Sequence, residues 1–317
     1  AQAVSARDPA SATGFHLGSR RMARGHAQRR PLVLLPALVL TAAFVLQCLP
    51  SAFCGTSRSA GWRQLCTSDV VLAALNIAQV KTEPRGTEGT MDYRRFFVDG
   101  EGQEISPWHD VPLATEVEGE FWMVTEIPKM TKPKMEIATK EQNNPIAQDT
   151  KKGALRDYHG PIFWNYGYLP QTWEDPTVAH PQLNVFGDND PVDVVEIGSR
   201  AHAQGEVVRV KVLGALAMID SGELDWKVIA ISTDDPLAAQ LQDIKDVEVN
   251  MPGVVSGILE WFRWYKTPDD KPLNEFGFEE VPLDRQKTLE VIEETHGYWK
   301  RLRSGEGESG GLWTGSP

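Results

Sequence analysis

The chain has 317 residues, of which 41% are hydrophobic and 24% charged. This composition is typical of a globular protein with a substantial core and excludes a largely disordered chain. The formal net charge of −12 argues against nucleic-acid binding through a basic surface. All the cysteines (Cys48, Cys54 and Cys66) lie near the N-terminus, so the rest of the chain has no cysteine nucleophile or zinc ligand.

The N-terminal part of the chain differs from the rest in charge. Residues 1–80 contain eight Arg, no Lys, two Asp and no Glu, a net charge of about +6, which leaves about −18 for the remainder. Residues 31–50 form an apolar run, PLVLLPALVLTAAFVLQCLP, long enough to span a bilayer. Pro36 and Pro50 shorten any continuous helix, which favours a removable targeting segment. A membrane anchor and an unprocessed extension are the alternatives. We predict a leader over residues 1–82, with membrane contact only if residues 31–50 are retained.

The catalytic domain is predicted over residues 83–303, and its first half is strand-like. Short runs rich in Val, Ile and aromatic residues, bounded by turn-forming residues, predict strands at 120–127, 134–139, 192–197, 206–219 and 226–232. Gly222 lies between the last two runs and predicts a hairpin. Several short strands separated by turn signals indicate a small barrel.

Helices are predicted late in the chain. Asp235-Pro236 has the features of a helix start, with Asp as the cap and Pro at the first position. A second helix is predicted to open at 250–252, and a third runs over 284–303 with apolar residues on one stripe. The Gly- and Ser-rich tail, residues 304–317, is predicted to be disordered.

Residues 187–193, GDNDPVD, place Asp188, Asp190 and Asp193 in a turn that leads into an apolar strand. Carboxylates this close together repel one another unless cations compensate them, and oxygen ligands suit magnesium, manganese or calcium. A solvated acidic turn is the alternative interpretation. An EF-hand is excluded, because Asp193 stands where that loop requires Gly.

A second group of acidic residues is accompanied by lysine. Asp225 and Lys227 are two residues apart at the start of a predicted strand, so their side chains share a face. Asp220 precedes them, and Lys134 and Glu136 show the same spacing in another predicted strand. A carboxylate beside a lysine suits a site that holds a metal ion and a phosphate together; a surface ion pair is the alternative.

Basic and aromatic residues complete the candidate set. Arg156 precedes Tyr166 by ten residues, and Tyr265-Lys266 ends the second predicted helix. Arg and Lys neutralise phosphate oxygens, and a Tyr hydroxyl donates hydrogen bonds to them. Taken singly, each is more often a surface charge or a packed aromatic residue.

Together these segments resemble the soluble family I inorganic pyrophosphatases of the eukaryotic type. The resemblance covers roughly Tyr93 to Arg303 and rests on VTEIPKMTKPKMEI, NNPIAQDTKKGALR, NYGYLPQTWEDP, GDNDPVDVVEIG, GELDWKVIAI and EWFRWYK, in family order. It implies an α+β fold with a mainly β core, a five-stranded OB-like closed β-barrel with flanking α-helices. It also implies hydrolysis of inorganic pyrophosphate without a covalent intermediate, Mg²⁺ as cofactor with Mn²⁺ as a substitute, and a homodimer.

The resemblance also implies roles for single residues. Asp190 matches the general base, and Asp188, Asp193 and Asp225 match metal ligands, with Asp220 and Glu136 helping to hold further metal ions. The phosphate-binding positions are matched by Lys134, Arg156, Tyr166, Lys227, Tyr265 and Lys266, of which Arg156, Tyr166 and Lys227 are counted with the catalytic residues. Glu126 matches an outer acidic position.

One position departs from the family pattern. Ile162 stands four residues before Tyr166, where the family often has a second Tyr, and the stretch between Arg156 and Tyr166 is shorter than usual. Tyr158 is a candidate substitute.

Other functions remain open from the sequence: a scaffold that keeps the fold, a cation buffer, and a phosphatase for organic phosphates. The compartment is also open, either the cytoplasm or the lumen of a mitochondrion or plastid after removal of the leader.

Overall fold

The computed structural model describes residues 75–315, which form a mainly β structure with three α-helices. The first eight strands are β1 (Lys81–Arg85), β2 (Arg94–Val98), β3 (Glu104–Ile105), β4 (Glu120–Ile127), β5 (Met135–Ile137), β6 (Ile146–Gln148), β7 (Thr150–Lys151) and β8 (Ala154–Leu155). The others are β9 (Asn165–Tyr168), β10 (Phe186–Gly187), β11 (Asp193–Glu196), β12 (Val207–Asp220), β13 (Glu223–Ser232) and β14 (Glu275–Phe276). The helices are α1 (Ile244–Asn250), α2 (Val254–Trp264) and α3 (Arg285–Ser304).

The apolar run at residues 31–50 lies outside the described residues, as does the predicted leader up to residue 74. Within the described part, no helix has the length and apolar character needed to cross a membrane.

Five strands close into a hydrogen-bonded ring. The order is β13, β11, β9, β4 and β12, and β12 then pairs with β13 again. β11 runs parallel to β13, whereas the other neighbours in the ring are antiparallel. β10 and β14 add short edges at β13 and β12.

The long strand β12 contributes side chains to two apolar clusters, and a bulge changes which residues face each cluster. Val208, Val210 and Val212 belong to the cluster that packs under α3, while Leu213 belongs to the other cluster. The register with β13 shifts between Val212 and Gly214. Since one extra residue reverses the alternation of a strand, odd-numbered residues such as Ala215 join the α3 cluster after the bulge.

The predicted strands are confirmed, with ends that move by a few residues. The hairpin between β12 and β13 is also confirmed, and its two-residue loop is Ser221-Gly222. Both loop residues have positive φ (56° and 94°), the conformation that fits the twist of a tight hairpin.

A second, smaller sheet lies at the start of the described region. It has the order β1, β2, β6, β5, with β3 paired to β2. β1 begins at Lys81, which pairs with Val98, so the ordered sheet starts before the predicted domain boundary at residue 83.

The first helix begins later than predicted, so the helix start at Asp235-Pro236 is wrong. The Asp235 carboxylate accepts hydrogen bonds from the backbone N and side-chain Oγ of Ser199, and the residues that follow form turns. The helix starts after Asp243, which forms a capping box with Asp246. The predictions for α2 and α3 are confirmed, and Asp284 caps α3.

The tail after α3 packs against the domain, which differs from the predicted disorder. Leu312 is buried in the larger apolar cluster. The Trp313 backbone N donates to the Thr139 carbonyl, and its carbonyl lies 3.0 Å from His109 Nε2. An aromatic and an aliphatic side chain among glycines are enough to anchor this segment up to residue 315.

Candidate active site

The predicted site residues line one cavity of about 580 Å³. The lining includes the carboxylates of the turn at residues 188–193, lysines, Arg156 and several tyrosines. The set is Glu126, Lys134, Glu136, Arg156, Tyr166, Asp188, Asp190, Asp193, Asp220, Asp225, Lys227, Tyr265 and Lys266. A larger groove of about 810 Å³ lies behind β13, around Trp226 and α3, and contains none of these residues.

The acid turn, residues 188–193, is held by backbone contacts. Asp190 N donates to Asp188 Oδ1 at 3.0 Å, and Asn189 takes a positive φ of 74°. On its outer side the turn pairs with Glu174, through Glu174 N to Asp190 O at 2.9 Å and Asn189 N to Glu174 O at 3.0 Å. Gly187 permits this approach, because a Cβ at that position would lie 2.5 Å from the Glu174 carbonyl.

Three carboxylates form the tightest acidic cluster in the described region. Oxygens of Glu174, Asp188 and Asp225 all lie within 4.8 Å of one another. Burial and the charges of its neighbours raise the pKa of Glu174 and of Asp225 well above the usual range of a carboxyl. An all-oxygen donor set with a mutual repulsion of this kind fits a hard divalent cation.

A buried lysine lies beside this cluster. Lys227 Nζ contacts Asp225 Oδ1, lies 2.5 Å from Asp193 Oδ2 and donates to Tyr166 Oη at 3.0 Å. The parallel register of β11 and β13 places Asp193 opposite Lys227. Despite its burial, these anionic neighbours raise the pKa of Lys227 well above its usual range, so the ammonium stays charged. Asp193, predicted beside Asp188 and Asp225, thus has Lys227 as its nearest charged partner, and Glu174 completes the acidic cluster.

A second cationic group lies on the opposite wall. Lys134, directly before β5, contacts Glu136 within that strand and lies 3.2 Å from Asp149. Arg156 donates to the same Asp149 carboxylate at 2.8 Å. One carboxylate therefore holds two cations side by side, with the rest of their hydrogen-bonding groups free for a ligand.

The last two site residues, Tyr265 and Lys266, directly follow helix α2. Lys266 contacts Asp220, and Tyr265 Oη lies 3.4 Å from the same carboxylate. Burial and the nearby charges of Arg156 and Lys134 lower the pKa of Lys266 to about 8, an effect that the contact with Asp220 opposes. The ammonium charge at this position is thus sensitive to its neighbours.

Asp190 and Glu126 have contrasting environments. The Asp190 side chain is exposed to the cavity, where crowding by the cavity wall and the charges of Asp188 and Glu136 raise its pKa well above the usual range. Glu126 is buried and accepts a 2.6 Å hydrogen bond from Ile137 N; burial raises its pKa too. Of these two carboxyl groups Asp190 is the exposed one, whereas Glu126 is buried and holds β5 through Ile137 N.

Ile162 lies fully buried in the larger apolar cluster, away from the cavity. The hydroxyl-bearing side chain in this region is Tyr158, which lines the cavity and packs edge-on against Tyr265, with ring centroids 5.8 Å apart. Nothing else in the shortened loop adds a hydroxyl to the cavity lining.

Sequence reasoning missed two acidic residues that contact site residues from outside the cavity lining. Glu174 and Asp149 stand in loops, and neither shows a spacing that links it to the other site residues. Their partners, Asp188 and Asp225 for Glu174 and Lys134 and Arg156 for Asp149, come from other elements. The WEDP and QDTKKG segments carried the only signal, an acidic residue within a recognised block.

Comparison with known proteins gives consistent matches. A family model described as inorganic pyrophosphatase matches residues 123–300. The chloroplastic soluble inorganic pyrophosphatase 6 of Arabidopsis thaliana is 51% identical over 241 residues, 76% of this chain and 80% of that protein. The type I inorganic pyrophosphatase of Toxoplasma gondii is 48% identical with a TM-score of 0.68, covering 70% of this chain and 99% of the other.

A third match is a truncated vacuolar soluble pyrophosphatase of Trypanosoma cruzi, solved in complex with PPi. It is 42% identical, has a TM-score of 0.69, and covers 75% of this chain and 96% of the other. The fold, the cavity and these matches define a hydrolase. The chain belongs to the inorganic pyrophosphatase family, and its relatives are the type I enzymes of eukaryotes.

Proposed function

We propose that this protein hydrolyses inorganic pyrophosphate to two phosphates. The observation that carries the proposal is the composition of the 580 Å³ cavity, where clustered carboxylates face lysines and an arginine across a small polar space. A polyanion as small as pyrophosphate needs cations on several sides, and the cavity offers fixed side-chain cations along two walls. The relative from Trypanosoma cruzi, solved with PPi, supports this choice of ligand.

The carboxylates fit Mg²⁺, with Mn²⁺ as a substitute. Asp188 and Asp225, with Asp193 close by, would hold the first ion, and Glu136 and Asp220 would help to hold ions that arrive with the substrate. When bound, such ions neutralise phosphate charge and lower the pKa of water. The chain's own carboxylates leave the site strongly anionic without them, which is the electrostatic reason for metal dependence.

Side chains of the protein carry out proton transfer and hold the phosphates. Asp190, exposed to the cavity, accepts the proton of the attacking water, and the water adds in line to one phosphorus while the bridging oxygen leaves. Arg156, Lys134 and Lys227 hold the phosphates and stabilise the charge on the departing one. No covalent intermediate is required, which agrees with the absence of cysteine after residue 66.

The tyrosines and Lys266 orient the substrate. The hydroxyls of Tyr166 and Tyr265 donate to the Asp193 and Asp220 carboxylates, and on binding of substrate they would donate to phosphate oxygens, with Lys266 as a further cation near Asp220. Tyr158 takes the place of the hydroxyl that the family often has at the position of Ile162. Glu126 fixes the strand that carries Glu136, through its hydrogen bond from Ile137 N.

The test is phosphate release from pyrophosphate by the purified protein, with and without Mg²⁺, and with ATP as the control substrate. We expect fast release from pyrophosphate only when Mg²⁺ is present, Mn²⁺ in its place to support release, and little release from ATP. A folded protein that releases no phosphate would instead favour a scaffold role. Equal release from ATP would indicate a phosphatase for organic phosphates.

We further propose that the five-stranded ring is the OB-like barrel of its family. We also propose that the protein is a homodimer. An exposed apolar area supports the dimer: Met130 and Phe163 are 60% and 50% exposed, and Met130 N donates to Ile162 O, which brings the two loops together. The two side chains are therefore the candidate contacts of a dimer interface. Sedimentation of Phe163→Asp should give monomers where the unchanged protein gives dimers; equal dimerisation would place the interface elsewhere.

For the compartment, we propose delivery to an organelle, plastid or mitochondrion, with release into its lumen. The Arg-rich, acid-poor N-terminal segment and the chloroplastic Arabidopsis relative support this. Fusion of residues 1–82 to a fluorescent protein tests it, and diffuse cytoplasmic fluorescence would contradict it.

A further inference from the structure

Glu174 lies at the junction of the elements that carry the acidic cluster. Its backbone pairs with the acid turn through the two hydrogen bonds to Asn189 and Asp190. Its side chain reaches the other element, because Oε1 accepts a 2.8 Å hydrogen bond from the backbone N of Trp226, the residue between Asp225 and Lys227. One residue thus ties the acid turn to β13.

The second carboxylate oxygen of Glu174 is what needs an explanation. Only 3% of the surface of Glu174 is exposed, and no donor in the described part of the chain reaches Oε2. This oxygen belongs to a side chain within the 4.8 Å cluster with Asp188 and Asp225. A buried carboxylate oxygen without a donor, beside two further carboxylates, is stable only if a proton shared with Asp188 or a bound cation compensates it.

We propose that Glu174 is a further acidic member of the metal site, in which Oε1 fixes the relation of the acid turn to β13 and Oε2 contributes negative charge to the bound divalent cation. The inference rests on the proposed metal-dependent function. Neighbouring groups that orient or support metal ligands typically change metal affinity by 10- to 100-fold when they are replaced.

Asp175 is a matched control next in the chain. It is equally buried, and its carboxylate accepts from Thr177 and pairs with Arg301 at 2.7 Å, so it supports the same loop without belonging to the cluster. Glu174→Gln keeps an acceptor for Trp226 N and a similar shape but removes the charge. Asp175→Asn makes the same change of charge one residue away.

The experiment titrates Mn²⁺ into the full-length, substrate-free protein by calorimetry and measures Tm with and without Mg²⁺. For Glu174→Gln we expect a Kd for Mn²⁺ at least about 10-fold weaker. Its Tm without metal should not fall, because the carboxylate repulsion is relieved, whereas the rise in Tm on adding Mg²⁺ should shrink. Asp175→Asn should keep the Kd of the unchanged protein.

A purely structural role for Glu174 gives a different pattern. In that case Glu174→Gln loses Tm equally with and without Mg²⁺ and keeps the Kd, or fails to fold while Asp175→Asn folds, and either result overturns the inference. If the unchanged protein itself binds no Mn²⁺, the metal dependence in the proposed function fails instead, so the two failures are distinguishable.

Discussion

At the scale of single residues, each lysine or arginine of the site forms an ion pair with a carboxylate of the chain. Asp149 holds Lys134 and Arg156, Asp193 and Asp225 hold Lys227, and Asp220 holds Lys266. These pairs keep long, flexible side chains in place before a ligand arrives, which reduces the entropy lost on binding. They also keep buried charge compensated in the ligand-free protein.

Asp190→Asn should lower turnover of pyrophosphate by about 10²- to 10⁴-fold, the range for loss of a general base. The fold should persist, because the hydrogen bonds of residue 190 to Asp188 and Glu174 use its backbone. Steady-state phosphate release checks this, with Asp234→Asn, outside the cavity lining, as the control. Unchanged turnover in the Asp190 variant would remove the role assigned to it.

Arg156→Ala should raise KM for pyrophosphate or lower turnover by about 10- to 100-fold, since a charge-assisted contact to phosphate contributes roughly 1.5–3 kcal/mol. Arg200, which pairs with Glu206 on the surface, provides the control Arg200→Ala. A kinetic comparison over a range of pyrophosphate concentrations separates the two effects. Equal kinetics of the two variants would show that Arg156 does not contact substrate.

At the scale of elements, the site depends on how closely the acid turn approaches the loop that contains Glu174. This approach has no room for a side chain at residue 187, which explains why a glycine precedes the three aspartates. The contact is between backbones, so it fixes the turn whatever the rotamers of the acidic side chains.

Gly187→Ala should lower the free energy of unfolding by about 1–3 kcal/mol, because the added methyl forces the turn and the Glu174 loop apart. Mn²⁺ affinity should fall as well, since the cluster of carboxylates widens. Gly297→Ala in α3, where nothing lies within 4 Å of the added Cβ, should instead stabilise the protein by up to about 1 kcal/mol. Urea unfolding of both variants is the measurement; a neutral Gly187→Ala would contradict the close packing.

At the scale of the whole molecule, two buried histidines link α3 to the tail and to the loops after β3 and β9. His296 Nδ1 lies 2.6 Å from the Gln171 carbonyl, and Trp299 Nε1 donates to His109 Nδ1 at 2.9 Å. His109 Nε2 then faces the Trp313 carbonyl, so the neutral imidazole satisfies both neighbours. Burial is the main cause that lowers the pKa of each histidine to about 4.

The contribution of these two histidines to the free energy of unfolding should therefore fall as the pH decreases from about 6.5 to about 4, whereas the buried carboxyls of the site, whose pKa values are raised, contribute in the opposite direction. In that window the unfolded chain binds protons that the folded histidines refuse, so acid favours unfolding, by up to about 3 kcal/mol for each histidine. Urea unfolding at several pH values should show a shallower slope for His296→Asn, which keeps a donor for Gln171 O. Identical slopes in His296→Asn and the unchanged protein would contradict the assignment.

Much of this protein could be predicted from its sequence, because the signals concerned are local. Alternation and turn residues predict the strands at 120–127 and 206–219, and the spacing of Asp225 and Lys227 puts both on one face. Capping residues and the apolar stripe predict α2 and α3. The site residues could be named because they stand in contiguous, recognisable segments, and the structure brings all of them to one cavity.

Only the tertiary structure decided which residues meet across elements. Asp235 caps only a turn, in which Oδ1 accepts from Leu237 N while Oδ2 accepts from Ser199, and the helix begins after Asp243 instead. The tail looks disordered by composition, yet Leu312 finds an apolar cluster. Glu174 and Asp149 belong to the site through contacts with residues of other elements, which no spacing along the chain encodes. The sequence by itself therefore determined most of the elements and the segments that carry the candidate site residues, because those signals are local, while long-range packing determined which side chains meet.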